Sequence, residues 1–574
     1  MMPTPRRIAA ALATTIAVSL LAAPGALAAP GDLPATCDRI TPETVEREIL
    51  DETVQVISTG NAVITGSLYM PRQATQYAPV PVILMTHGGS SSRLSLNPRP
   101  GSLTQGLLDA GFAVLTYDSR GHGDSRRDSG GQATVRYEFG GSDGVEDVRR
   151  LVGLAGRCRA IGQEAPGDPV IGFVGASNGA GIQLNAAAAI PELDAIVPML
   201  SWADLAQDLA PNDVPKVYGE LAYQRFKSAR VQIDPAIEGF HSDAVAGLLS
   251  GDTANWLAGR STSGSAGRVR VPTLLLQGTL DTLFPLEGAM RNFERIRANG
   301  TPVKLVAFCT AHDAEAAPPR SCKGGSDMTD IIFRWLNHYL RGAEANLGSP
   351  IDWYGPDGRF RSADGITGNG TTVIVPKPAA KRKSRRKTRR TATRAMTRES
   401  ARRATTRRRR ATRPRRTRTK PLGTLRGPGG TGGDTQTYAA PAPSSEAAGT
   451  LRVRLVDRNR KGCRSLLGIP RVEISGVVDG PEAFLFAELQ ESNPQGERRT
   501  VNINTMPVRL SRGRFSAEFS LHGVSWILGL GNHLDLELTT GSDMYLEPSR
   551  DFTVRVDRVV AKLPLGAVGR GRSC

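Results

Sequence analysis

Six short apolar runs punctuate the first part of the chain: Val80–Met85, Ala113–Tyr117, Val170–Gly175, Ala195–Met199, Thr273–Gln277 and Val303–Phe308. Each has the length of a strand, and a run with no polar alternation suits a strand covered on both faces. Segments of helical character lie between them, among them Leu103–Ala110, Gly144–Leu154, Gly179–Ala189 and Met328–Leu340. This alternation predicts a doubly wound α/β sheet over residues 29–375. Residues 203–268 interrupt it with helical stretches at Pro215–Lys227 and Ser242–Leu249, which predicts a helical cap inserted between two sheet strands. From about residue 448 the period falls to two. Leu451–Val456, Val472–Val477, Ala483–Leu489, Phe515–Phe519, Leu534–Leu538 and Phe552–Val559 alternate between turn residues. That pattern predicts an antiparallel β-sandwich over 448–574.

The segment between the two patterns, 376–447, is first rich in Lys, Arg and Thr, then in Gly, Pro, Ser and Ala. It has too few apolar residues to offset the entropy of ordering and is expected to be a linker. Charge concentrates there. Lys381–Lys420 holds 21 Lys or Arg against one acid, a net +20, whereas the whole chain carries +18. The remainder therefore sums to −2, and the pI near 10.0 describes one segment rather than the folded body. Its expected partner is an anionic cell-wall or membrane surface; nucleic acid is not expected, and a plain charged spacer is the alternative.

The first 28 residues have the form of a secretion signal. Arg6 and Arg7 precede the apolar run Ile8–Leu21, and Ala26-Leu27-Ala28 fits the small-residue cleavage rule. A secreted or cell-surface protein is expected. Six cysteines follow, Cys37, Cys158, Cys309, Cys322, Cys463 and Cys574, an even number in an exported chain. Cys463 and Cys574 share the β region, and Cys309 and Cys322 bracket His312. Cys37 and Cys158 remain as a third pair, with the connectivity open. No spacing suggests zinc or another metal, and no cofactor is expected.

Candidate chemistry centres on Gly175-Ala176-Ser177-Asn178-Gly179, a G-x-S-x-G pentapeptide between a strand and an Ala-rich helix. In that context it predicts a nucleophile elbow with Ser177 at its tip. A serine hydroxyl is a weak nucleophile and needs a base, which needs an orienting acid. Both should follow in the order acid, then histidine, each after a later strand. Asp281 follows the run Leu274–Gln277, and His312 follows Val306–Phe308. Asp313 is a competing acid, badly placed beside the histidine. The backbone N–H of Asn178, with Gly89 or Gly88 from the Thr86-His87-Gly88-Gly89-Ser90 loop, should form the oxyanion hole. His87 is too early in the chain order to be the base and should shape that loop. Tyr117–Ser125 is expected to buttress it.

Four segments together resemble the X-prolyl dipeptidyl peptidase and cocaine-esterase family. They are Asp118–Ser125 (D-S-R-G-H-G-D-S), Gly175–Gly179, Gln277–Asp281 (Q-G-T-L-D) and Arg334–Gly342 (R-W-L-N-H-Y-L-R-G). The resemblance covers about 50–350 and, more weakly, 449–563. It implies an α/β-hydrolase with a helical cap and a C-terminal jelly-roll-like domain. Asn178 and His87-Gly88-Gly89 stand where family members often carry tyrosines. The expected function is hydrolysis of an ester or amide bond through an acyl-enzyme on Ser177. The alternatives are an X-Pro dipeptidyl peptidase with the same triad, and a non-catalytic surface-binding protein anchored by the basic segment. A dipeptidyl peptidase must hold a free amine, for which the cap offers Asp204, Asp208, Asp213 and Glu220.

Overall fold

The computed structural model describes residues 35–38, 49–312, 325–375, 422–426, 449–546 and 551–567, apart from 131–135, 138, 356–357, 369, 461 and 504. The signal segment, Asp313, Cys322, Cys574 and most of the basic segment lie outside the described residues.

Ten strands form the hydrolase sheet. They are β1 (Ile49–Ile57), β2 (Val63–Pro71), β3 (Val82–Thr86), β4 (Ala113–Tyr117), β5 (Ile171–Ala176), β6 (Ala195–Met199), β7 (Thr273–Gly278), β8 (Val303–Phe308), β9 (Ile351–Tyr354) and β10 (Phe360–Ala363). Their order is β1-β2-β4-β3-β5-β6-β7-β8-β9-β10. The run from β4 to β9 is parallel, and antiparallel pairs close both ends. Every residue of β3, β4 and β7 is buried, because helices cover both faces. Helices α1 (Leu103–Asp109), α2 (Gly123–Asp128), α3 (Ser142–Ala155) and α4 (Asn178–Ala187) alternate with these strands. The apolar clusters on the two sides mark the two faces. Phe173, Leu184 and Phe293 lie in one, and Val174, Leu276, Trp335 and Leu336 in the other.

The insertion is a helical cap of α5 (Leu205–Leu209), α6 (Val217–Ser228), α7 (Pro235–Ala246), α8 (Gly251–Ala258) and α9 (Ser263–Ala266). The helix expected at Ser242–Leu249 instead spans Pro235–Ala246. Asp234 caps it by accepting the Ala236 N–H, Pro235 opens its first turn, and Gly247 ends it at φ 77°. After the cap come α10 (Leu286–Ala298) and α11 (Gly325–Arg341).

The C-terminal domain comprises β11 (Thr371–Val375), β12 (Gly423–Arg426), β13 (Leu451–Val456), β14 (Arg464–Gly468), β15 (Arg471–Ser492), β16 (Arg498–Thr500), β17 (Met506–Ser520), β18 (Val524–Leu528), β19 (His533–Thr539), β20 (Thr553–Leu563) and β21 (Leu565–Ala567). Strands β14, β18 and β21 form a small antiparallel sheet, and the others a larger one. One apolar core joins the two, with Leu466 and Leu528 of the small sheet against Leu485 and Leu536 of the large. The two strands expected at Val472–Val477 and Ala483–Leu489 are one strand, β15. Its polar interruption is absorbed where the register shifts between Val478 and Glu482, with Gly480 at φ 130°.

The expected boundaries of the linker need correction. Thr371–Val375, assigned to the hydrolase domain by sequence, pairs with β20, Val375 lying opposite Val559. Gly423–Arg426, assigned to the linker, pairs with the same strand, Gly423 lying opposite Val556, and Leu425 is buried. The basic segment thus leaves and re-enters the β domain three residues apart along one strand. It interrupts an edge of that domain rather than connecting the two domains.

Cys37 and Cys158 are disulfide-bonded and fully buried against the hydrolase core. Cys309 and Cys463 are also disulfide-bonded.

The domains meet over an apolar patch of Val214, Phe484, Phe486 and Tyr545. Beside it Glu287, at the start of α10, accepts from His522 at 2.5 Å and from the Gly523 N–H at 2.8 Å. Burial pushes the Glu287 carboxyl up, but His522 and the Gly523 N–H more than offset it and hold it at about 2 against an ordinary 4.5. A depressed carboxyl contributes stability that is complete above about pH 4.5 and is lost as pH falls toward 2, here on the order of 3 kcal/mol. Thermal melts across that window should show a steeper acid loss in the wild type than in Glu287→Gln, which starts less stable at neutral pH. Parallel acid limbs in the two proteins would refute the assignment.

Candidate active site

The elbow follows from packing constraints on two glycines. A Cβ on Gly175 would lie 3.1 Å from the Thr86 carbonyl oxygen, and one on Gly179 would lie 2.9 Å from the same atom. Only hydrogen side chains let β5 and α4 close on β3. Between them Ser177 takes φ 55° and ψ −118°, a conformation rare for a residue with a Cβ. Its N–H donates to Met199 O at 2.9 Å, and its carbonyl accepts the Ala180 and Gly181 N–H groups of α4.

His312 sits beyond the end of β8. Its Nε2 lies 2.9 Å from Ser177 Oγ, and its Nδ1 lies 2.9 Å from Asp281 Oδ2. Asp281 is fully buried in the turn after β7. Its Oδ1 accepts the Leu283 and Phe284 N–H groups at 3.0 and 2.9 Å, and its Oδ2 also accepts from Gln277 Nε2 at 3.2 Å. Gly278 permits that turn, because a Cβ there would lie 2.4 Å from Thr310 O on the histidine loop. Phe284 meets the His312 ring edge-to-face at 5.1 Å, and Tyr218 of the cap does so at 6.2 Å. The structure thus brings together three residues separated by up to 135 positions, as the sequence order anticipated.

Gly88, Gly89 and Asn178 line the same cavity as Ser177. Gly88 faces the nucleophile, since a Cβ on it would lie 3.9 Å from Ser177 Cβ. Gly89 lies under the cap, where a Cβ would come within 2.8 Å of the Phe226 ring. The D-S-R-G-H-G-D-S segment holds this loop in place. His122 Nε2 contacts Gly89 O, and the Ser119 N–H donates to His87 Nε2 at 3.1 Å. The His87 proton therefore resides on Nδ1, which donates to Gly88 O at 2.8 Å. Burial, reinforced by His122, drives the His87 ring down to about 3, so it stays neutral. Asp118 ties the ends of the segment: it accepts from the Arg93 N–H, pairs with the Arg93 guanidinium and caps α2 at Asp124 N.

Above Ser177 the cavity has a volume of about 260 Å³. Tyr137, Phe139, Trp202, Phe226, Phe240 and Trp256 form much of its wall. These are the residues that sequence reading missed, because nothing in periodicity separates a cap aromatic that faces a cavity from one that packs. Among the described residues lining the cavity there is no Asp or Glu. None of the four cap acids lines the cavity, and three are engaged elsewhere. Asp204 caps α5, Glu220 pairs with His241, and Asp208 faces Lys216 and Glu287, while Asp213 is absent from the cavity lining.

An α/β-hydrolase domain with a helical cap and an appended antiparallel β domain, enclosing a serine–histidine–aspartate constellation, defines a serine hydrolase. The sequence profile of the X-Pro dipeptidyl-peptidase (S15) family matches residues 60–313, which lie within the hydrolase domain. Solved structures resemble the whole architecture. A CocE/NonD family hydrolase from Staphylococcus aureus superimposes with a TM-score of 0.58 at 10% identity, over 92% of this chain and 98% of that one. An α-amino acid ester hydrolase gives 0.59 at 11% identity, over 91% and 97%. An aminopeptidase from a marine-sediment Thaumarchaeota archaeon gives 0.61 at 13% identity, over 93% and 99%. At these identities the likeness is one of fold.

Proposed function

We propose that the protein is an exported esterase for acyl groups that are uncharged and largely apolar, acting through an acyl-enzyme on Ser177. The observation that carries this reading is the cavity wall: aromatic over much of its area and without a carboxylate among the described lining residues. An X-Pro dipeptidyl peptidase must bind a substrate ammonium, and a desolvated cation without an anionic partner is costly. Among the described lining residues the one Lys or Arg is Arg225, which donates to the Tyr218 hydroxyl and would repel an ammonium.

In this reading His312 Nε2 takes the Ser177 proton as Oγ attacks the ester carbonyl, then returns it to the leaving alkoxide. Asp281 holds the ring with its proton on Nδ1 and stabilises the imidazolium. The Asn178 N–H and the Gly88–Gly89 backbone receive the developing oxyanion. A second cycle with water releases the acid. The aromatic cap keeps bulk water from the acyl-enzyme. The wild type should turn over p-nitrophenyl acyl esters and leave X-Pro p-nitroanilides at background. Serine-dependent anilide cleavage at rates rivalling the ester would establish the dipeptidyl peptidase instead.

Export is supported by the N-terminal signal pattern and by the Cys37–Cys158 disulfide, a bond favoured in oxidising compartments. The net +20 of Lys381–Lys420 suits attachment to an anionic surface. Since its flanks pair with neighbouring positions of β20, a short turn can replace it. Such a deletion variant should lose salt-sensitive retention on anionic vesicles and keep its ester turnover. Retention unchanged by the deletion would sink the attachment reading.

A further inference from the structure

The turn that carries Asp281 is gripped by two elements outside the hydrolase sheet. From the β domain, Asn502 Nδ2 donates to Thr279 O at 3.1 Å. From the cap, Lys216 Nζ donates to Thr282 O at 2.7 Å and to Leu283 O at 3.1 Å. Lys216 is 1% exposed and directly precedes α6, the helix that carries Tyr218 and Phe226 of the cavity wall. Its backbone is in turn paired with the β domain. It forms a bridge to Tyr545, flanked by Val217 N to Met544 O at 3.0 Å and Leu546 N to Pro215 O at 2.9 Å.

The two carbonyls belong to the peptide units whose opposite ends serve the acid. Thr282 O and the Leu283 N–H share one peptide plane, and Leu283 O and the Phe284 N–H share the next. Both N–H groups donate to Asp281 Oδ1. A cation at the oxygen end of a peptide and a carboxylate at its N–H end polarise it in the same sense, so each hydrogen bond strengthens the other. An ammonium, with three donors and a point charge, can serve two carbonyls at once.

Three acidic side chains face this ammonium: Asp208 from α5, whose carboxyl burial pushes well up, Glu287 from α10 and Asp281 from the turn itself. Burial lowers Lys216 and the carboxylates oppose that, leaving it at about 8, so the charged form prevails at neutral pH.

We infer that Lys216 is a positioning residue that acts on the triad through two peptide units, coupling the seating of the cap and β domain to the hold on Asp281. This rests on the reading of Asp281 as the orienting acid. In a protein whose circular dichroism shows it folded, Lys216→Met should lower kcat for a p-nitrophenyl ester about 10²-fold, with KM within about 3-fold, as expected when a reacting group is misplaced. Because Lys216 acts through Asp281, the same change in an Asp281→Asn background should cost less than about 3-fold more. A loss that multiplies that of Asp281→Asn, or one confined to KM or to thermal stability, would overturn the inference. Full kcat in Asp281→Asn alone would fault the triad assignment instead. Should Lys216→Met not fold, Lys216→Gln, which keeps the amide donors without the charge, is read in the same cycle.

Discussion

Ser177→Ala should reduce kcat for p-nitrophenyl acyl esters by about 10⁶-fold, which is the loss typical of removing a triad nucleophile. His312 Nε2 is 2.9 Å from Oγ and would be left facing a methyl group. KM should change little, because the cavity wall that binds the acyl group is untouched. The fold should be preserved, since alanine keeps the Cβ and the backbone already holds φ 55° there. Thermal melting of the variant within a degree or two of wild type separates lost chemistry from lost structure. Ester turnover equal in the two proteins would displace Ser177 from its role and leave the fold as a binding scaffold.

Asp281→Asn should lower kcat by about 10⁴-fold while leaving KM nearly unchanged. The direction follows from the hydrogen bonds. The Leu283 and Phe284 N–H groups both point at Oδ1, so the amide oxygen of an asparagine must occupy that place. Its NH2 group then faces His312 Nδ1, which must become the acceptor. The ring proton is driven to Nε2, where it meets Ser177 Oγ and cannot accept from it. Single-turnover assays of acylation by a p-nitrophenyl ester check this, and a loss below 10-fold would show that another group orients His312.

The placing of Ser177, Asp281 and His312 together was legible early because its signals are local. Gly175, Ser177 and Gly179 must stand two apart for an elbow, and Asp281 and His312 must each follow a buried run. These constraints act over a handful of residues, and the apolar runs themselves carry the strand assignments. The end of α7 at Gly247 and its start at Asp234-Pro235 were written in the chain too, although apolar spacing alone drew attention to the wrong stretch.

Other features depend on partners distant in the chain. Asp204, Asp208, Asp213 and Glu220 read as candidate amine ligands until none was found at the cavity wall, with Asp204 capping a helix, Glu220 paired with His241 and Asp208 facing Lys216. The basic segment reads as an interdomain linker until Val375 and Gly423 are found paired with one and the same strand, β20, more than a hundred residues later.

By itself, then, the sequence determined the strand and helix periods, the elbow and the order of the triad, because backbone sterics and burial act over a few neighbouring residues. The tertiary structure alone decided which aromatics face the cavity, what neutralises the cap acids, and that Lys216 and the β domain grip the Asp281 turn. Those outcomes depend on which surfaces meet when the cap and the β domain dock, and a periodicity along one chain holds no record of the surface it will face.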